Sequence, residues 1–298
     1  MHHILVALDG SPESEQILHE VERVGGRDAS IDLLHVLPGA SREVPNLGVD
    51  VEDVAEDYLR KVAARIAGHQ VRMFIWRGAP EEEIPKAARS LNADLIAMTT
   101  HGRKGLSHLL MGSVAESVVR HGSTPVLLTR PDFSRPSRPM ERILVPVDGS
   151  AQSLEVTSTV RELVAQTGAE VILLQVVVPV IVADPVTGFT PIGVPMPLPD
   201  PAPELETLAR RLSREGIPTR AMVAHGGAAD QILDHAKTLD ADLIAMATSA
   251  RKGLSRFMIG SVAENVVRRM DRPVLLHPIG LKTEAGAHVR EVHAQGAD

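Results

Sequence analysis

The chain has 298 residues, no cysteine, a formal net charge of −7 and 2% aromatic residues. The lack of cysteine excludes disulfides, thiolate nucleophiles and zinc–thiolate sites, while the acidic balance and scarcity of rings argue against nucleic-acid binding. Apolar residues make up 44%, so Val, Leu, Ile, Ala and Met must build the core of what the length suggests is about two domains.

The chain opens on a short apolar strand, residues 4–8, which ends in Asp9-Gly10-Ser11. No signal peptide is expected before it. An amphipathic helix from residue 11 or 12 to about 24 follows and is closed by Gly25-Gly26. Residues 30–36 read as strand two, followed by a polar loop with Pro38, Gly39, Pro45 and Gly48. Helix two covers about 51–67, with Val54, Tyr58, Val62 and Ile66 on one side. Residues 70–76 alternate as strand three, and 80–91 form helix three. Glu81, Glu82 and Glu83 occupy its first turn, where the helix dipole favours them. Residues 93–98 have the length and composition of a buried parallel strand. The chain then passes through Thr99-Thr100-His101-Gly102 to a helix opening at Gly112-Ser113. Val114, Ala115, Val118 and Val119 share one face of that helix, and strand five is residues 125–129.

A Pro-rich linker, residues 131–142, separates this half from a second that restarts at Ile143-Leu144-Val145-Pro146-Val147-Asp148-Gly149-Ser150. Strand two of this half is 170–177 and helix two is 204–215. Strand three is 219–224, and helix three is 228–239. Between 179 and 203 lies an apolar segment with eight prolines, read as a lid, a contact surface or disorder. The longest apolar run, 171–182, is broken by Gln175 and Pro179 and is too short to span a bilayer. A cytoplasmic protein without membrane partners is expected.

Residues 92–129 and 240–277 align without gaps, with roughly two thirds of positions identical. A period of about 148 residues means two copies of a domain rather than a solenoid. The expected layout is domain one at 1–133, linker 134–141, domain two at 142–280 and a flexible tail at 281–298. Alternating strands and helices predict α/β domains, each a doubly wound, mostly parallel sheet. Ligands of such sheets bind beyond the strand C-termini at a topological switch point.

Gly102, nine residues, then Gly112-Ser113 admits two readings. One is a phosphate cradle of backbone amides at a helix start, aided by Arg103 and Lys104. The other is capping, since Ser113 and Glu116, like Ser261 and Glu264, fit the S-x-x-E capping box. Capping leaves the shared Arg-Lys-Gly-Leu-Ser loop unexplained, and neither loop is a P-loop. Asp9 and Asp148 likewise read first as turn residues and second as acceptors for an adenine amine or a ribose hydroxyl. The 13 histidines are scattered without metal-ligand spacing, and no Ser/His/Asp order belongs to one site. No catalytic residue and no metal ligand is expected.

Ile-Leu-Val-x-x-Asp-Gly-Ser at both N-termini, Leu-Leu-His-Val at 33–36, Ala-Asp-Leu-Ile-Ala-Met before each loop and Gly-x9-Gly-Ser before each fourth helix resemble the universal stress protein family. The likeness covers residues 1–280 as two tandem domains. It implies five-stranded parallel sheets of order 3-2-1-4-5. Many family members bind ATP through Gly-x2-Gly-x9-Gly-Ser/Thr, and others lack the pattern and bind none.

Here the first glycine of that pattern is Thr99, the second Gly102 and the final pair Gly112-Ser113. In the second half these positions hold Ala247, Ala250 and Gly260-Ser261. By likeness the adenosine side meets Ala7, Asp9, Val36, Met98 and Thr99, and the phosphate side Gly102, Arg103, Gly112, Ser113 and Val114. The second-half equivalents are Pro146, Asp148, Val176, Met246, Ala250, Arg251, Gly260, Ser261 and Val262. A Cβ where positive φ is needed costs about 1 kcal/mol, so the second site is expected to be weaker or empty.

The resemblance thus implies ATP bound as a ligand without efficient turnover, and it leaves an accompanying Mg open. It implies pairing of the two fifth strands within the chain, and it leaves a further homodimer open. The rival expectation is a nucleotide-independent adaptor that works through the apolar 179–203 segment. Slow ATP hydrolysis or autophosphorylation ranks below both.

Overall fold

The computed structural model describes residues 1–26, 28–39, 50–100, 111–131, 133, 138–178, 203–249, 260–279 and 291–292. Residues 179–202 of the Pro-rich segment therefore lie outside the described residues, as do Gly102, Arg103, Ala250 and Arg251.

The first half runs β1 (His3–Leu8), α1 (Pro12–Glu15), α2 (Ile17–Val24), β2 (Ser30–Leu37), α3 (Val51–Ala63), β3 (Gln70–Arg77), α4 (Pro80–Ser90), β4 (Leu95–Thr99), α5 (Ser113–His121) and β5 (Val126–Thr129). The second repeats it: β6 (Arg142–Val147), a 3₁₀ turn (Ser153–Glu155), α6 (Val156–Thr167), β7 (Glu170–Val177), α7 (Pro203–Arg214), β8 (Thr219–His225), α8 (Ala228–Thr238), β9 (Leu243–Ser249), α9 (Ser261–Arg269) and β10 (Val274–Ile279). A two-residue β11 (Glu291–Val292) lies antiparallel to β3, with Glu291 opposite Phe74.

The strands form one sheet of order β11-β3-β2-β1-β4-β5-β10-β9-β6-β7-β8. Each half is parallel in the order 3-2-1-4-5. The halves meet where β5 lies antiparallel to β10, pairing Leu128 with Val274, Leu127 with Leu275 and Val126 with Leu276. This seam joins two identical Val-Leu-Leu tripeptides, so the pseudo-twofold axis passes through the Leu127–Leu275 pair.

Side chains alternate across the strands and feed two apolar layers. On one face Ile4, Val6 and Leu33 pack with Ile17, Val21 and Leu59 of the first half and with Val160, Leu163 and Leu208 of the second. On the other, Leu5, Leu34 and Ile96 pack with Ile84 and Val118, continuous with Ile172, Ile232 and Val266. Each layer therefore crosses both repeats. Every fully buried aliphatic side chain in them contributes roughly 1.5–3 kcal/mol.

Two helices of the first half differ from the sequence reading. The first helix divides at Gln16, and its second-half counterpart begins as a 3₁₀ turn. In both, a serine hydroxyl takes the carbonyl three residues back: Ser14 donates to Ser11 at 2.8 Å and Ser153 to Ser150 at 2.9 Å. These bonds compete for acceptors that a regular helix would use. The second helix stops at Ala63 rather than 67, because Arg65 and Ile66 bond back three residues to Val62 and Ala63.

Polar ties also cross between the halves. Arg23 of α2 donates to Asp242 at 2.9 Å. Gln166 of α6 accepts from the Gly26 amide and donates to the Met1 carbonyl.

Candidate functional site

The C-terminal ends of β1, β2 and β4 point the same way, toward the start of α5. Between them opens a cavity of about 370 Å³. Alternation places Ala7, Leu34, Val36 and Met98 on the sheet face that forms its floor, and Pro80 and Ile84 of α4 form an apolar side wall. Asp9, Ser14, Thr99, Thr100 and Ser113 supply polar groups to its lining.

The cavity brings together Ala7, Asp9, Val36, Met98, Thr99, Gly112, Ser113 and Val114 of the sequence-derived set. Thr99 and Thr100 are buried in the wall and leave the space open. In the second half Pro146, Asp148, Val176 and Met246 lie on β6, just after it, on β7 and on β9 respectively. Gly260, Ser261 and Val262 begin α9.

The start of α5 tests the capping reading of Gly112-Ser113. Its N-cap is Gly112, which has no side chain to cap with, and Ser113 is already the first helical residue. Glu116 reaches forward to pair with Arg120 rather than back to the helix start. The capping box is therefore not formed. The reason is tertiary: the Gly112 amide donates to the Thr100 carbonyl at 2.8 Å, which fixes the helix start one residue early. The first-turn amides of Ser113, Val114 and Ala115 have no intrahelical acceptor. Among the described residues no side chain caps them either. They are donors at the positive end of the α5 dipole, in the wall of the cavity. In the second copy Gly260 is the N-cap, without a side-chain bond, and Glu264 pairs with Arg268.

For Asp9 the turn role is evident. Its Oδ1 accepts from the Ser11 amide at 2.9 Å and from the Ser11 hydroxyl at 2.5 Å. Ser11 in turn caps α1 by accepting from the Ser14 amide at 3.1 Å. Asp148 repeats this with Ser150. Burial pushes the Asp148 carboxyl up, but the Ser150 and Ser153 bonds outweigh it and hold the group below its usual 3.8.

Several lining residues escaped the sequence reading. Leu34 could have been found, because it precedes Val36 by two and so shares its face. Ser14, a polar residue buried in a helix, was a weaker signal. Pro80 and Ile84 come from a helix whose docking no local pattern reveals. Behind Val36, in register with it on β3, sits Trp76, buried and the only tryptophan of the chain.

Chemically, the arrangement offers an apolar slot for a flat group and amides, uncapped among the described residues, for an anion. Among the described residues no three His, Asp or Glu side chains converge as a metal site, and no helix is long and apolar enough to cross a membrane.

The comparisons with known proteins agree with this architecture. A Staphylococcus aureus relative described as a universal stress protein is 34% identical over 137 residues, covering 43% of this chain and 82% of its own. The crystal structure of a universal stress protein from Archaeoglobus fulgidus superposes with a TM-score of 0.67 at 24% identity, covering 93% of this chain and 96% of that one. A functionally unknown protein from Pseudomonas aeruginosa PAO1 shares the fold with a TM-score of 0.60 at 18% identity, covering 93% and 92%. The universal stress protein family model matches residues 1–130 and again 140–278. The chain belongs to the universal stress protein family, as a member with two tandem domains.

Proposed function

We propose that the first-half cavity binds an adenine nucleotide, ATP, as a ligand whose occupancy carries a stress signal. The observation behind this reading is the uncapped start of α5 in the wall of an otherwise apolar slot. A purine suits the floor of Ala7, Val36 and Met98. The phosphates suit the amides of Ser113, Val114 and Ala115, which no side chain caps among the described residues and which favour negative charge. Gly102 and Arg103 would complete the phosphate side.

The second half has Ala247 and Ala250 where backbone freedom helps most. It is the weaker site in this proposal. No turnover is proposed, because no residue of the sequence reads as a general base or water-positioner. The protein would act in the cytoplasm, where ATP is abundant.

The test is direct. Purified full-length protein is denatured, and the supernatant is run on ion exchange for adenine nucleotides. The apo form is then titrated with ATP by calorimetry and by Trp76 emission. Co-purified nucleotide, or saturable binding lost in Gly102→Val and kept in Ala250→Val, supports the proposal. No nucleotide and no heat at millimolar ATP overturns it in favour of an adaptor that needs no nucleotide.

A further inference from the structure

His35 sits in β2 between two cavity-lining residues, Leu34 and Val36, yet its ring lies on the opposite face of the sheet. There Nδ1 is 2.8 Å from the Leu8 carbonyl. A carbonyl only accepts, so Nδ1 carries the proton and donates. Leu8 is the last residue of β1, and Asp9, next to it, lines the cavity. The ring is held from behind by Tyr58 of α3, edge-on at 5.8 Å between centroids. In front it abuts the turn: its Cε1 is 3.6 Å from where a Cβ on Gly10 would stand, and Gly10 has φ +86°. The ring thus lies between a helix and the turn that shapes the site, tied to the strand end by its bond to Leu8.

The second copy provides the contrast. Its turn is built alike, with Asp148 bonded to Ser150 and Gly149 at φ +83°. The residue in the place of His35 is Gln175. Its Nε2 lies 3.8 Å from the corresponding point beside Gly149, in the same ordinary van der Waals range as the His35 ring beside Gly10, so the side chains fill the same place. Among the described residues no side chain donates to the Val147 carbonyl. The donor to the strand-end carbonyl is therefore a difference between two otherwise matching turns.

We propose that His35 is a positioning residue that latches the β1 turn and preorganises the first nucleotide site from behind the sheet. The inference rests on the ATP reading above for its consequence, but not for its geometry. It acts through the Leu8–Asp9 backbone and touches no ligand. A turn already held in place loses less freedom on binding, which favours affinity.

The experiment uses the full chain and three variants. His35→Leu fills the space without a donor. His35→Asn restores an N–H where Nδ1 stands. Gln175→His installs the ring in the second copy. Amide exchange is followed in nucleotide-free protein over residues 9–14, with 148–153 as the internal reference, and ATP affinity is measured by calorimetry. Loss of one bond of ordinary strength predicts about tenfold faster exchange at 9–14 and about tenfold weaker ATP binding in His35→Leu. Residues 148–153 should be unchanged. His35→Asn should return both values to within about threefold of the parent, and Gln175→His should slow exchange at 148–153.

Parent-like exchange and affinity in His35→Leu overturn the latch, as does a His35→Asn that is no better than His35→Leu. If the parent binds no ATP, the nucleotide reading fails and exchange at 9–14 alone decides the latch. If the parent binds ATP while exchange is indifferent to residue 35, the latch fails and the nucleotide reading stands.

Discussion

Asp94 and Asp242 are equivalent residues in the two repeats, and the structure predicts very different costs for removing them. Each accepts from the two amides that open a first strand. Asp94 takes those of His2 and His3 at 2.8 and 3.0 Å, and Asp242 those of Glu141 and Arg142 at 2.9 and 3.0 Å. Asp94 is exposed, so water replaces what Asp94→Ala removes, and the loss should be about 1 kcal/mol. Asp242 is fully buried and also takes Arg23 at 2.9 Å and Arg138 at 3.0 Å. Truncating one member of a buried ionic cluster costs about 3–5 kcal/mol. Arg23 keeps Glu20 and Arg138 keeps Asp240, which puts Asp242→Ala near the lower end, about 3 kcal/mol. Urea denaturation of both variants, with unchanged m-values, measures the difference. Equal losses would refute the reasoning, because the two arginines would then contribute nothing. Acid should expose the same asymmetry. Burial pushes the Asp242 carboxyl up, but the strand amides and both guanidinium groups outweigh it and hold it below its usual 3.8. Its contribution is present above that value and is lost as pH falls through the lower folded one. An Asp242→Asn variant should therefore show a shallower acid limb.

Three further outcomes follow from single side chains. His277 is held neutral chiefly by burial, against a smaller pull from Glu155, and bonds Thr159 at 2.9 Å. Stability should be level above its ordinary 6.5 and fall as pH drops below it. His277→Gln should flatten that slope in urea melts at pH 7.5 and 5.5, and an unchanged slope would refute the assignment. Tyr58 is the only tyrosine, and burial pushes its phenol up to about 12. Its absorbance near 295 nm should rise only there, with stability declining as pH climbs from 10 to 12, whereas ionisation near 10 would contradict its packing. Asn92 has φ +53° at the end of α4, with Ala93 bonded back to Ala88. Asn92→Ala should lower stability by about 1 kcal/mol and Asn92→Gly should not, as read by thermal melts.

Much of the architecture could be read directly, because the repeat, the strand–helix alternation and the apolar periodicities are local signals. Ala7, Val36 and Met98 of the cavity floor were legible only through the family resemblance, because the residues alone gave the strands and not which strand ends line a site. The helix opening at Gly112-Ser113 was legible, but the way its first turn is capped was not. Ser113-x-x-Glu116 is a sound capping pattern on its own, and only the bond from Gly112 to Thr100 shifts the register. Pro80 and Ile84 reach the site through the docking of α4, which no pattern in α4 announces. The Arg23–Asp242 tie joins residues 219 apart in sequence, and the ring contacts behind the first site depend on how His35, Tyr58 and Gly10 converge. Such arrangements are decided by folding as a whole.

The antiparallel seam of Val126-Leu127-Leu128 against Val274-Leu275-Leu276 has an evolutionary consequence. In a dimer of identical chains, every substitution appears on both sides of the axis at once. Here the same joint is covalently singular, so each copy is free to drift while the other keeps the partnership intact. Histidine can stand at 35 and glutamine at 175, or threonine at 99 and alanine at 247. One gene can therefore carry two copies that diverge residue by residue across a shared joint, a freedom closed to a strictly symmetric pair.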